Sequence, residues 1–260
     1  MSHLLVTGQI VLGDKSVLPQ IPMQLLDLTL PTPAENLALE EALLLEAEEG
    51  RGPDEVLRIW EAQEPMIVMG RSGKLEREVD AGECRRRGVP VFRRASGGGT
   101  VVLGPGCLGY AVVVPYSRHA HLRMLDEAHA FVLEKLAAAL RALAPGVARH
   151  GISDLTFESE GLRKFSGNSL RCRREHFLYH GTILYDFDLS LLDSLLQHPP
   201  REPDYRAGRA HGEFIANLAL PREKVRSAIR SAFGDPPEVT DWPAARVAEL
   251  ARSYPNLLGD

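Results

Sequence analysis

The fold turns on the stretch VFRRASGGGTVVLGPGCLGYAVVV, residues 91–114. Val91 and Phe92 read as a strand that runs through Arg93 and Arg94 into Ser96-Gly97-Gly98-Gly99, and residues 100–103 and 108–114 read as two further strands. Three consecutive glycines lose much backbone entropy on ordering. Two readings of them stand side by side: a tight turn flanked by surface arginines, or a ligand loop whose bare N–H groups donate to bound oxygens while Arg93 and Arg94 supply fixed positive charge. The residues after the glycines decide the class. A Walker loop needs GxxxxGK[ST], a dinucleotide fingerprint needs glycines that open a helix, and Gly73-Lys74 supplies neither. Strands that come in runs with hairpin-like spacing, not in strict βαβ alternation, predict an α+β domain with a mixed, largely antiparallel sheet and packed helices.

On the N-terminal side, residues 25–30 read as a strand that enters a well-marked helix. Thr32 is placed to cap, Pro33 suits the first turn, Glu35 completes a Thr-x-x-Glu box, and Leu37, Leu39, Leu43, Leu44 and Leu45 give an apolar stripe ending near Gly50. Strands are expected at 56–60 and 66–69 and a short helix at 77–87. Residues 121–143 form the longest expected helix, followed by strands at 154–157, 163–166 and 177–185 and helices at 189–197, 222–233 and 244–253. No repeat or low-complexity linker divides the chain, so residues 25–260 are expected to be one domain behind an N-terminal strand or extension over 1–24.

Of the 260 residues, 44% are hydrophobic and 25% charged, enough apolar surface for a packed core and too little contiguous hydrocarbon for a membrane span. No secretory leader is visible, and Cys84, Cys107 and Cys172 form no CxxC, which predicts reduced thiols in a cytoplasmic setting. Residues 1–65 carry 12 acids against 3 bases, so the positive charge lies further on, around the glycines. A basic middle on an acidic chain fits a small anionic ligand better than a nucleic acid, and the aromatic content of 6% gives no stacking surface.

Three more segments carry chemistry. In Arg163-Lys164-Phe165-Ser166-Gly167-Asn168, Lys164 alternates with Phe165, so one of the two faces inward; Lys164 is either a movable point charge in an anionic site or a solvated strand lysine. In Tyr179-His180-Gly181-Thr182, His180 sits in an apolar strand, where a satisfied core histidine is the plain reading, and no HxH or HExxH pattern points to a metal. Asp154, after Gly151, either holds a magnesium ion or a ligand hydroxyl or simply ends a turn, and no metal ligand is assigned. Arg85-Arg86-Arg87 suits a helix C-terminus, and Arg171, Arg173 and Arg174 an exposed hairpin. Pro203-Asp204-Tyr205-Arg206 with Arg209 and His211 forms a dense polar loop to which the sequence assigns no role.

Together and in order, Asn36-Leu37-Ala38-Leu39-Glu40-Glu41, Met69-Gly70-Arg71, RRASGGGT at 93–100, SDLTF at 153–157, RKFSGNSLR at 163–171 and HGTILYDFDLSLL at 180–192 resemble the lipoate–protein ligase family, within the wider biotin/lipoyl protein ligase fold. The resemblance implies an α+β catalytic domain related to class II synthetases. It implies activation of lipoate or octanoate by ATP with Mg2+ to an acyl-adenylate. The acyl group then passes to a lysine of a lipoyl-domain acceptor: a glycine-cleavage carrier, a 2-oxoacid dehydrogenase subunit or a dedicated carrier. It implies that Lys164 contacts the acyl carbonyl and phosphate, and that Arg93, Arg94, Ser96, Gly97, Gly98, Gly99 and Thr100 line the adenylate site. Gly70, Arg71, His180, Gly181 and Thr182 complete the acyl pocket, with Ser166, Gly167 and Asp154 beside the lysine.

The chain departs from the family pattern in three places. Leu103-Gly104 stands where many ligases carry His-Asp, Ser153-Asp154 stands where many carry Asn-Asp, and no C-terminal accessory domain is seen, so a separate accessory subunit is expected. An octanoyl or lipoyl transferase working through a thioester would need a cysteine at the position matching Ser153 or in the loop near 199–204, and neither has one. Cys172 and Cys107 are the thiols such a route would have to use. A biotin ligase would carry a GRGRxGR-type loop, of which only Gly70-Arg71 is present. A non-catalytic binder of lipoylated carriers would differ only in lacking turnover.

Overall fold

Helix α1 (Pro33–Glu48) starts where its capping signature places it. Glu35 N donates to Thr32 Oγ1 at 3.2 Å and Thr32 N donates to Glu35 Oε2 at 3.0 Å, satisfying two helix-end donors reciprocally. The computed structural model describes residues 22–159 and 161–259, so the expected extension over 1–24 lies outside the described residues up to position 21.

Among the described residues, ten strands form two sheets. The larger runs β1 (Gln24–Asp27), β2 (Val56–Glu61), β6 (Cys107–Pro115), β10 (His176–Leu184), β9 (Leu162–Cys172), β8 (Asp154–Glu158), β7 (Ala148–His150), with only the β1–β2 pair parallel. In the smaller, β3 (Met66–Met69) lies between β4 (Val91–Arg93), parallel to it, and β5 (Val101–Leu103), antiparallel to it. This is the expected α+β class with a mixed, largely antiparallel sheet.

Strand alternation builds two cores on opposite faces of the larger sheet. Along β6, Leu108, Tyr110, Val112 and Val114 join the core beneath α4 (Leu125–Arg141) and α7 (Arg222–Ala232). Cys107, Ala111 and Val113 join the core shared with α1, the smaller sheet and Val247 of α8 (Ala244–Ala251). Fully buried Arg58 on β2 stitches α1 to this second face. Its Nη1 donates to Asn36 O at 2.7 Å, its Nη2 to Asn36 Oδ1 at 2.7 Å, and Asn36 Nδ2 in turn donates to Leu30 O at 2.8 Å.

Several expectations are corrected in detail. The helix expected at 77–87 is two, α2 (Leu75–Glu78) and α3 (Ala81–Arg87), because Asp80 leaves helical geometry to cap the second, accepting from Glu83 N at 2.8 Å. The helix expected from 121 begins as a 3-10 turn (Ala120–Arg123) and becomes α4 after an extended Met124. Strand β1 ends at Asp27 rather than residue 30. Strand β7 and the short α6 (His211–Phe214) have no counterpart in the sequence reading.

The pairing of β8 with β9 carries one irregularity that matters for the site. Asp154 pairs with Gly167 and Leu155 with Ser166, but Thr156 pairs with Lys164, so Phe165 is an extra residue on β9. A bulge of this kind turns the following side chains to the other face. Phe165 is buried in the core under the sheet, while Lys164 projects on the same face as Asp154. Among the described residues no helix is long and apolar enough to cross a membrane.

Candidate functional site

The glycine loop is shaped by Arg94. Its Nη2 donates to Gly97 O at 2.5 Å and Gly99 O at 2.9 Å, its Nε to Ser96 Oγ at 2.9 Å, and its Nη1 to Val68 O at 3.1 Å. Burial lowers the guanidinium pKa to about 10 against the opposing charges of Glu40 and Glu78, so it stays a cation at neutral pH. Gly98 holds φ at +86°, a left-handed conformation that glycine adopts without strain. Gly70 must also be glycine, since a Cβ there would lie 2.0 Å from Gly98 O. Ser169 Oγ of β9 donates to Gly97 O at 3.0 Å and pins the loop to the larger sheet.

Behind the loop a relay runs inward. Ser96 Oγ lies 2.6 Å from His180 Nε2, and His180 Nδ1 lies 2.5 Å from Glu40 Oε2. Trp60 Nε1 donates to Glu40 Oε1 at 2.9 Å. Burial pushes the Glu40 pKa up, but the His180, Arg58 and Trp60 interactions together outweigh it and hold the carboxyl below its ordinary value. The Glu40 carboxylate faces Nδ1 of His180, and the opposite ring nitrogen, Nε2, faces the Ser96 hydroxyl. His180 is thus satisfied at both nitrogens, as a core histidine would be, yet it also lines the cleft.

Across the cleft, Lys164 Nζ lies 2.8 Å from Asp154 Oδ1, and Tyr205 OH donates to Asp154 Oδ2 at 2.7 Å. The lysine chain passes over Gly167, where a Cβ would meet Nζ at 3.1 Å. Between lysine and glycine loop opens a cavity of about 180 Å³. Leu37, Trp60, Val68, Val101 and Leu103 make its apolar part, and Arg94, Asp154, Lys164, His180 and Thr182 its polar part. An oily slot ending in two cations and a bare glycine turn can hold an amphiphilic acid by its tail and stabilise charge developing at its head.

Of the residues singled out from sequence, Arg94, Gly98, Gly99, Thr100, Asp154, Lys164, Gly167, His180, Gly181 and Thr182 line this cavity. The other six lie off it. Ser96 stands behind the loop on His180, and Gly97 gives its carbonyl to Arg94 and Ser169. Gly70 and Arg71 form the turn under the loop, with Arg71 N donating to Ser96 O at 2.9 Å. Arg93 points away from the cleft, its Nη1 donating to Gly70 O at 3.0 Å and Gly73 O at 2.7 Å, so it fastens that turn. Ser166 is buried and bonded to Asn168 Nδ2 at 3.1 Å. Asp154 has both oxygens engaged, and among the described residues no three His, Cys, Asp or Glu cluster to hold a metal ion.

The sequence reading did not single out Glu40, Trp60, Asn168, Ser169 or Tyr205 as site residues. Glu40 gave one usable signal, a second glutamate inside an otherwise apolar helix stripe, where a buried carboxylate needs partners. Cys84 and Cys107 are buried, and exposed Cys172 lies at the end of β9; none lines the cavity. Burial raises the thiol pKa of Cys107 beyond the range of a working nucleophile.

A model of the lipoyl protein ligase A/B catalytic domain matches residues 32–233. The probable lipoate-protein ligase A of Mycoplasma pneumoniae is 31% identical over 161 residues, 62% of this chain and 45% of that protein. Octanoyltransferase LipM of Geobacillus kaustophilus is 28% identical over 85% of this chain and 91% of that protein. The match thus spans about half the length of the former and most of the latter. A solved chain from the bipartite lipoate protein ligase of Thermoplasma acidophilum, studied with its E2 lipoyl domain, superposes with a TM-score of 0.71 at 22% identity, covering 90% of this chain and 91% of that one.

Proposed function

The chain belongs to the lipoyl protein ligase A/B catalytic-domain family, and on that footing we propose that it is an ATP-dependent lipoate–protein ligase, activating lipoate or octanoate and attaching it to a lysine of a lipoyl-domain carrier. The observation that carries this reading is the cleft itself: the Lys164 ammonium and the Arg94 loop face each other across an apolar slot that no thiol enters.

That arrangement suits a two-step reaction. A carboxylate is a poor electrophile. Its oxygen attacks the α-phosphorus of ATP, the bond to pyrophosphate breaks, and an acyl-adenylate forms. Negative charge grows on the α-phosphate, where Lys164 and the free N–H groups of the glycine loop stabilise it. The eight-carbon chain lies against Leu37, Val68, Val101 and Leu103, gaining roughly 0.8 kcal/mol per buried methylene. The neutral amine of the carrier lysine then attacks the acyl carbonyl, AMP leaves, and the ammonium proton passes to solvent. Magnesium would come as the complex of the nucleotide's own phosphates and neutralise part of their charge; the two carboxylates that line the cleft, Asp154 and Glu40, are each already paired at both oxygens. Three unpaired thiols suit a reducing, cytoplasmic setting.

The test is incubation with ATP, magnesium and octanoate or lipoate, followed by mass measurement of a lipoyl domain. Acylation that requires ATP supports the ligase. A carrier left unmodified by this chain alone but acylated when an accessory subunit is added supports a bipartite ligase, the arrangement named for the Thermoplasma relative. One observation favours a second reading, octanoyl transfer between carriers: the match to the octanoyltransferase covers nearly the whole of both chains. Acyl transfer from an octanoylated carrier without nucleotide, lost in Cys172→Ser, would establish that route instead.

A further inference from the structure

The polar segment around residue 205, to which the sequence assigns no role, packs directly on the two charged residues of the cleft. Ala216 N donates to Lys164 O at 2.9 Å, and Ile215 pairs with Lys164 in an isolated parallel bridge. Arg209 Nη1 donates to Leu162 O at 2.9 Å, two residues before the lysine, and Arg163 Nη2 donates to Gly212 O at 3.0 Å. From the same segment Tyr205 reaches Asp154 Oδ2, while Lys164 holds Oδ1.

Tyr205 is held on several sides. Its ring sits between His150, at 5.7 Å between centroids, and Phe214, at 5.3 Å. Its carbonyl accepts from Arg209 Nη2 at 2.9 Å. A Cβ on Gly151 would touch the ring at 3.5 Å. Burial and the charge of Asp154 push the phenol pKa well up, so it remains a donor at any working pH. So many restraints on one side chain fix where its hydroxyl points.

We propose that Tyr205 is a positioning residue for Lys164: by donating to one oxygen of Asp154 it divides the carboxylate's charge between two donors and loosens its grip on the ammonium, which can then turn toward an acyl–phosphate head. Two donors to one carboxylate compete, and Asp154 is only 6% exposed, so water does not take the place of a lost one. The inference rests on the ligase reading for its use, but not for its test.

The test is competitive labelling with trace acetic anhydride, reading acetylation at Lys164 by peptide mass spectrometry in the wild type, Tyr205→Phe, Asp154→Asn and the double variant. The phenylalanine keeps the ring packing and removes only the hydroxyl. Because a hydrogen bond to a charged group is among the stronger ones, labelling of Lys164 is expected to slow about fivefold in Tyr205→Phe. It is expected to quicken in Asp154→Asn, and the added Tyr205→Phe then changes nothing, because its effect passes through the carboxylate. Exposed Lys224 should label equally in all four and so corrects for reagent dose, while an unchanged cooperative melt in each variant reports an intact fold. An equal or faster rate at Lys164 in Tyr205→Phe, or a further change in the double variant, overturns the proposal. In acyl attachment, Tyr205→Phe should lower kcat while KM for the acid stays within about twofold, since no substrate contact is lost. A wild-type protein that acylates no carrier, with or without an accessory subunit, refutes the ligase reading, while the labelling result still decides the role of Tyr205.

Discussion

Glu40 is a buried charge, and its partners decide how the inner wall of the cleft responds to acid. His180 and Arg58 hold its folded-state pKa below the ordinary 4.5, against the pull of burial. A carboxyl depressed on folding contributes stability that is present above its unfolded value and is lost as pH falls through the folded one. The urea midpoint of the wild type should therefore fall as pH drops below about 4.5. Glu40→Gln should show a flatter acid limb and start from a lower plateau, by about 3 kcal/mol at pH 7, because buried Arg58 loses its counter-charge and His180 Nδ1 its carboxylate partner. An acid limb equally steep in both proteins would show that Glu40 is not the group responsible. Lys164→Ala tests the opposite wall. Removing a cation that acts on developing phosphate charge should lower kcat/KM for acyl attachment by about two orders of magnitude or more. Carrier docking, measured by titration calorimetry, should be unaffected.

Individual elements were legible to very different degrees. Helix α1 announced its start through Thr32, Pro33 and Glu35, because capping is local chemistry written in four residues. The glycine loop and Lys164 were legible as chemistry, but the side of the sheet on which the lysine would appear was not. Strict alternation groups Lys164 with Ser166 and Asn168, and only the extra residue at Phe165 brings it beside Asp154, with no glycine to mark the bulge. Contacts such as Glu40 with His180, or Tyr205 with Asp154, join residues 140 and 51 positions apart, and such pairings follow from sheet order rather than from any local pattern. The β2–β6 pair allows a test of its own. A Cβ on Gly109 would come within 2.7 Å of Trp60 Nε1, so Gly109→Ala must push the indole off its site at the apolar end of the cleft. The narrowed slot should raise KM for octanoate about tenfold or more, and for a four-carbon acid much less, with kcat little changed. An equal penalty for both chain lengths would place the acyl tail elsewhere.

Across the molecule, the cleft is a seam between two sheets. Arg94 and the glycine loop connect β4 to β5 of the smaller sheet, while Lys164, Asp154 and His180 lie on strands of the larger. Apart from the core that α1 shares with both, the direct ties across the seam include Ser169 to Gly97 and Ser96 to His180. A ligand that touches both cations therefore bridges the sheets as well as filling the slot. Binding to the folded state alone stabilises it by about 2.7 kcal/mol at a hundredfold excess over Kd, and each kcal/mol shifts the melting point of a protein of this size by about 2–4 °C. A non-hydrolysable octanoyl-adenylate analogue at that concentration should raise Tm by about 5–10 °C in a single cooperative step. Octanoate alone, which reaches only part of the seam, should raise it less at the same concentration. In Lys164→Ala the analogue should lose most of its advantage over octanoate, because the bridge then has one abutment. Equal shifts from analogue and octanoate in the wild type would mean that the adenylate head does not sit between these sheets.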